Sequence, residues 1–303
     1  MNGKKEYKYI SRFSADGKGY RIPVGIVTGK NPGSQITIFG GQHGTEYDGI
    51  QAVHELFRTI DPAAVSGTIV IALVTNETAF NNWEQFAPTA PEIMEMMKEL
   101  AAGSEMIINC HGGEITEGMN PYVICRLLGD ESLDKKAREM SDVFGVPYVS
   151  FSQYRGEPPQ NKDGGRPAWW LWPRKGMADE LQIPEITPEV GECGTRGENG
   201  IMYRGILNVL KHFGFMEGSP ETVKKPREIG DRYWLTSKEK GIFFPVVKID
   251  DDVTEGQSLG VVRDYFGNVL EEVVAPASAK VMNMNYGMPV SKDGFLMWLG
   301  EIS

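Results

Sequence analysis

Three separated segments hold the residues of this sequence that could do chemistry. In GGQHGTE, His43 stands three residues before Glu46. In INCHGG a second imidazole, His111, follows a short apolar run, and IPEITPEVGECG carries Glu185, Glu189 and Glu192. An imidazole and a carboxylate at this spacing can both turn toward one ion, and nitrogen and oxygen donors of this kind suit Zn²⁺. Two imidazoles and one carboxylate leave a fourth zinc position open for water, the catalytic rather than the structural arrangement. Zinc lowers the pKa of such a water to ~7. A further carboxylate must then carry that proton to a leaving group. Glu185, Glu189 and Glu192 could each serve. A bare HxxE is elsewhere no more than a polar loop, with the glutamate favoured by a helix N-terminus. Here its glycine-rich flanks and the second histidine downstream weigh against that reading.

The surrounding elements are those that would bring the groups together. Residues 34–60 start as a buried strand (Ile36, Ile38, Phe39), break at Gly40-Gly41, and restart as an amphipathic helix with Ile50, Val53, Phe57 and Ile60 on one face. Residues 21–28 and 35–39 read as strands joined by a turn over 29–33. Residues 68–74 form a β-branched run typical of a central strand, and 76–91 a polar, aromatic loop. Helices are expected at 91–102, 132–144 and 200–213, the last ending on Gly214. Strands are expected at 106–109, 122–127, 148–151 and in 183–194. Strands alternating with helices indicate an α/β fold with a mixed, largely parallel sheet whose sites gather at the strands' carboxyl ends. His43 and His111 both fall at such ends.

Residues 153–176 break the alternation with prolines, paired glycines, Trp169, Trp170, Trp172, Arg155, Arg166 and Arg174. Long loops of this kind are often binding loops or lids, although the tryptophans could equally be packing. Residues 217–229 have the charged, proline-containing composition of a linker. It separates a catalytic domain over 1–216 from a small all-β, barrel-sandwich domain over 230–303. Met282-Asn283-Met284 in that tail has asparagine where a biotin carrier has lysine, which argues against a carrier role.

Composition limits the remaining classes. The net charge of −10 argues against nucleic acid or an anionic membrane as partner. The N-terminus lacks an apolar signal region, and no run approaches ~20 apolar residues. Cys110, Cys125 and Cys193 fit reduced thiols, so a cytoplasmic protein is expected. A cysteine hydrolase built on Cys110 and His111 lacks an orienting third group.

Together the motifs resemble the succinylglutamate desuccinylase and aspartoacylase family of zinc hydrolases, related in fold to zinc carboxypeptidases. GGQHGTE is similar to the family's first zinc motif, INCHGG to the segment with its third ligand, and IPEITPEVG to that with its catalytic glutamate. GILNVLKHFGFMEG and the β tail also look like family features, and the motif order is kept from about Gln35 onward. The resemblance implies His43, Glu46 and His111 as ligands of one Zn²⁺ per chain, and Glu189 as general base and acid. Glu185 and Glu192 gain no role from it. It further implies arginines between the second and third ligands to hold the substrate. This chain has none between Arg58 and Arg126, so Asn76, Arg155 and Arg166 become the candidate substrate contacts.

The expected activity is hydrolysis of an amide bond in a small N-acyl amino acid or N-acyl amine. A metallocarboxypeptidase acting on short peptides and a catalytically weak zinc- or ligand-binding protein are the alternatives. The oligomeric state stays open, a homo-oligomer included.

Overall fold

Apolar, β-branched runs with no polar face to offer water become the middle of the sheet. The structure is a computed structural model describing residues 3–85, 88–156, 174–195 and 200–303. The chain starts with β1 (Lys4–Phe13), β2 (Gly19–Thr28) and β3 (Asn31–Gly40), then α1 (Tyr47–Thr59), β4 (Ser66–Ala72), α2 (Glu77–Asn82) and α3 (Pro91–Ala101). It continues through β5 (Ser104–Cys110), β6 (Glu117–Met119), β7 (Tyr122–Leu127), α4 (Glu131–Phe144), β8 (Tyr148–Gln153), α5 (Met177–Leu181), β9 (Glu185–Glu189) and α6 (Ile201–His212). The sheet order is β1-β2-β4-β3-β5-β9-β7-β8. Strands β4, β3, β5 and β9 run parallel, as do β7 and β8, whereas β1, β2 and β4 pair antiparallel and so do β7 and β9.

Helices cover both faces of this mixed sheet. Val53 and Leu56 of α1, Phe144 of α4 and Val209 of α6 pack on one face against Ile36, Ile38 and Ile71. Ile93 and Met96 of α3 with Met177 of α5 pack on the other against Phe39 and Ala72. The α/β class is therefore the one expected. Local differences have local causes. Strand β1 escapes a search for buried periodicity because nearly all its residues are exposed on the sheet's edge. The expected turn over 29–33 shrinks to Gly29-Lys30, since β3 already begins at Asn31. Residues 77–82, expected as loop, form α2, which Asn76 caps by accepting from Ala79 N–H at 3.1 Å.

The tail is all β: β10 (Arg227–Thr236), β11 (Gly241–Pro245), β12 (Asp252–Val253), β13 (Ser258–Arg263), β14 (Val269–Val274), β15 (Ala279–Asn285), β16 (Pro289–Val290) and β17 (Phe295–Ile302). Sheet β14-β13-β11-β16 and strands β10, β17, β15 and β12 enclose a second core around Phe243, Leu259, Val262, Val281, Leu296 and Leu299. Two pairings join this part to the first. Arg227 and Glu228, expected inside the linker, already run parallel to β8 opposite Tyr148 and Val149. Strand β15 pairs antiparallel with β6, Asn283 facing Met119 and Asn285 facing Glu117. The tail thus returns to the loop that follows His111. Among the described residues no helix is long and apolar enough to cross a membrane.

Candidate active site

His43 and Glu46 lie in the loop where β3 gives way to α1, and His111 directly follows β5. Parallel pairing of β3 with β5, Gly40 opposite Cys110, sets these two exits side by side. Gly44 is needed for the turn, because a Cβ there would sit 2.2 Å from Phe80 N of α2. The loop is further tied by Thr75 N–H and Asn76 N–H donating to the Gly40 and Gly41 carbonyls, each at 2.8 Å.

The three side chains converge. One potential ligand atom from each of His43, Glu46 and His111 lies within 4.8 Å of the others. Glu46 sits between the imidazoles, its Oε1 2.6 Å from His43 Nδ1 and its Oε2 3.0 Å from His111 Nδ1. That second approach lacks hydrogen-bond geometry, so Oε2 is buried without a hydrogen-bond partner. An orphaned carboxylate oxygen facing two imidazoles fits a cation, which would satisfy all three groups at once. Burial alone would push the Glu46 carboxyl up, but His111 and His43 hold it down at about 2. Burial opposes the charged His43 ring, and Glu46 overrides it, raising its pKa to about 9. Ionised Glu46 is the electrostatic anchor of the cluster.

Glu189 reaches the same place from β9. Pairing continues past the strand ends, with His111 N–H donating to the Pro188 carbonyl at 2.9 Å and Val190 N–H to the His111 carbonyl at 3.1 Å. His111 and Glu189 thereby form a parallel bridge. The pleat of β9 turns Ile186 and Pro188 into the core and leaves Glu185, Thr187 and Glu189 on the opposite face. Burial, then Glu46, Glu117 and Glu114, raise the Glu189 carboxyl well above the usual carboxylate range. Gly112 permits this approach: a Cβ there would lie 2.1 Å from the Val190 carbonyl oxygen. Gly112→Ala is accordingly expected to cost roughly 1–3 kcal/mol of stability by overpacking and to displace Glu189. Urea unfolding checks the first part, and catalytic rate per bound metal ion checks the second.

A cavity of about 1220 Å³ opens over the cluster, lined by His43, Glu46, His111, Thr187 and Glu189 at its floor. Met119, Tyr122, Ile124, Trp234, Phe295 and Trp298 supply apolar wall, with Tyr122 edge-on to Trp298 at 5.5 Å between centroids. Glu117, Asn283, Asn285 and Arg174 bring polar groups to it. Arg126 Nη2 donates to the Arg174 carbonyl at 2.9 Å, so the segment carrying Arg174 is tied to β7.

Among the other expected contacts, Asn76 is a buried helix cap and does not line the described cavity. Arg155 is exposed after β8, and Arg166 with Trp169, Trp170 and Trp172 lies outside the described residues. Glu185 lies on the face of β9 that also carries Glu189, near Arg126 and Asp179, where burial raises its carboxyl to about 7. Glu192 accepts from Met119 N–H at 3.3 Å. Cys110 is fully buried and its thiol pKa is pushed up by that burial, the opposite of what a nucleophile needs. Sequence reasoning missed Glu117, Trp234, Asn283, Phe295 and Trp298. Strands β10, β15 and β17 of the tail bring Trp234, Asn283, Phe295 and Trp298 to the cavity that His111 also lines, and nothing in local spacing announces it.

Fold and geometry define an α/β chain with a His–Glu–His cluster at its strand ends, roofed by residues of a β tail. Residues 32–100 match the family model of the Succinylglutamate desuccinylase/Aspartoacylase catalytic domain, the family that the motifs resemble. The chain is 26% identical over 268 residues to the N-alpha-acetyl-L-2,4-diaminobutyric acid deacetylase of Halomonas elongata, covering 80% of this chain and 74% of the relative. Its fold matches a succinylglutamate desuccinylase from Silicibacter sp. TM1040 with a TM-score of 0.83 at 20% identity, covering 100% of this chain and 96% of the other. It also matches the product-bound ectoine utilization protein EutE of Ruegeria pomeroyi, with a TM-score of 0.82 at 19% identity over 99% and 96% of the two chains. The family and the deacetylase are named for removing acyl groups, and the structural matches establish the shared fold.

Proposed function

We propose that this chain is a zinc-dependent deacylase that hydrolyses the amide bond of an N-acyl amino acid or N-acyl amine. The observation that carries the reading is the meeting of His43, Glu46 and His111 within 4.8 Å, with Glu189 bridged to His111, under a cavity sized for a small molecule. The deacetylase relative from Halomonas elongata supports amide hydrolysis as the reaction.

His43, Glu46 and His111 would hold Zn²⁺, which when bound supplies a Lewis acid for the amide carbonyl. Glu189 takes a proton from water as the water oxygen adds to the carbonyl carbon. It returns that proton to nitrogen as the C–N bond breaks, and a carboxylic acid and an amine depart. The environment that raises its carboxyl above the usual range suits a group that must keep a proton between those two events. The apolar wall excludes water from the acyl portion. On this reading residues 1–216 are the hydrolase part and 230–303 a small β part that completes the cavity, with 217–229 between them.

Arg174 is the arginine brought to the described cavity, and it takes the substrate carboxylate. Arg174→Ala is expected to raise KM for an N-acyl amino acid roughly 10-fold while changing KM for the matching carboxamide far less. Steady-state kinetics on the two compounds check this. The reading itself is tested with N-acetyl amino acids, N-succinyl amino acids and dipeptides supplied to the zinc-loaded protein. Amine release from the N-acyl compounds is expected. Faster cleavage of the dipeptides would make the protein a carboxypeptidase instead.

A further inference from the structure

The cavity is larger than a short acyl group requires, and its wall is apolar along one continuous row. Its volume of about 1220 Å³ exceeds the ~300–1,000 Å³ common for whole small-molecule ligands. The row of rings begins at the catalytic floor. Tyr122 stands directly opposite Glu189 in the pairing of β7 with β9, so both side chains leave the sheet on one face. Trp298 meets Tyr122 edge-on at 5.5 Å between centroids. Trp234 stands opposite Trp298 in the pairing of β10 with β17, and the Phe295 ring lies 4.3 Å from that of Trp234. All four rings line the cavity. Tyr122 and Trp298 are buried, whereas Trp234 and Phe295 are only half-buried and keep apolar surface for a ligand to cover.

Charge decides what kind of chain suits this row. On the deacylase reading Arg174 is taken by the carboxylate of the amino acid part. The other carboxyl groups of the described cavity lining are Glu46, Glu117 and Glu189. A second carboxylate, on the acyl chain, would meet these acidic groups with no further arginine or lysine in the described lining to pair it, an unfavourable burial of charge. A neutral hydrocarbon chain asks for no counter-charge and removes apolar surface from water on both sides of the contact. We propose that the row from Tyr122 to Phe295 binds a medium-length hydrocarbon acyl chain, so that the enzyme prefers N-acyl amino acids whose acyl group extends well beyond acetyl. The inference deepens the deacylase reading and rests on it for the reaction, while binding along the row can be tested without that reaction.

The test varies acyl length at a fixed amine, with metal content and melting temperature compared between variants. For N-acetyl-, N-butanoyl-, N-hexanoyl- and N-octanoyl-L-alanine, kcat/KM is expected to rise along the series, by roughly 100-fold between its ends. Trp234→Ala and Phe295→Ala are each expected to shrink the octanoyl-to-acetyl ratio roughly 10-fold. A general loss of active protein cancels from that ratio. N-acetyl-L-2-aminononanoate, an isomer of N-octanoyl-L-alanine with the long chain on the amine side, should be cleaved more slowly than that isomer. A flat series, a ratio untouched by both substitutions, or faster cleavage of the aminononanoate overturns the proposal. A separate arm measures octanamide binding by calorimetry. If no N-acyl compound is hydrolysed, the deacylase reading fails and binding decides. Octanamide affinity weakened in Trp234→Ala then upholds the apolar subsite, and equal affinity removes it.

Discussion

Glu189→Gln lowers kcat by roughly 10²–10⁴-fold, with metal content and fold retained, if proton transfer is the role of this carboxylate. The amide keeps the shape and hydrogen-bonding size of the side chain but cannot take a proton. Pairing through the Pro188 and His111 backbone holds the position whatever the side chain does. The controls lie on the same segment. Glu185 lies near Arg126 and Asp179 and is hydrogen-bonded to Asn109 and Thr187, and Glu192 is spent on Met119 N–H, so Glu185→Gln and Glu192→Gln should change the rate far less. Rates normalised to bound metal decide the matter. A dead Glu192→Gln beside an active Glu189→Gln would reverse the assignment.

The second large effect is on metal binding itself. His111→Ala and His43→Ala are each expected to take zinc from about one ion per chain to nearly none, since two remaining protein ligands are too few for a stable catalytic site. Removing a ring also leaves the buried Glu46 carboxylate with one imidazole fewer to balance it. That carboxyl should then titrate higher. Elemental analysis after exhaustive dialysis reads the loss directly, and full occupancy in both variants would remove these residues as ligands.

Much of this architecture was legible from local pattern. The β-branched runs around Ile38, Ile69 and Ile107 are buried as central strands must be, and of the helix face read from the sequence Val53 and Ile60 lie in the core with Phe57 partly buried against it. The exits at His43 and His111 could be read as neighbours because parallel strands deliver their carboxyl ends to one edge. Glu189 was separable from Glu185 and Glu192 only through family resemblance; its bridge to His111 is a tertiary fact. The rest was hidden for a related reason. Strand β1 carries no buried face, and α2 is short enough that its cap, Asn76, looks like a loop residue. Asn283 drew notice only as a residue where lysine would mark a carrier. Its pairing opposite Met119 links positions more than 160 residues apart, as the Asn283–Glu117 hydrogen bond records, and no local spacing encodes such a contact.

On the proposed function, amide hydrolysis requires one divalent ion at His43, Glu46 and His111. The most direct test of this requirement titrates Zn²⁺ into chelator-stripped protein while following both heat of binding and amine release from N-acetyl-L-2,4-diaminobutyrate. Activity is expected to rise in step with occupancy and to level off at about one equivalent. Hydrolysis that persists in the stripped protein, or one tight equivalent bound with no gain in amine release on any N-acyl compound, would contradict the requirement.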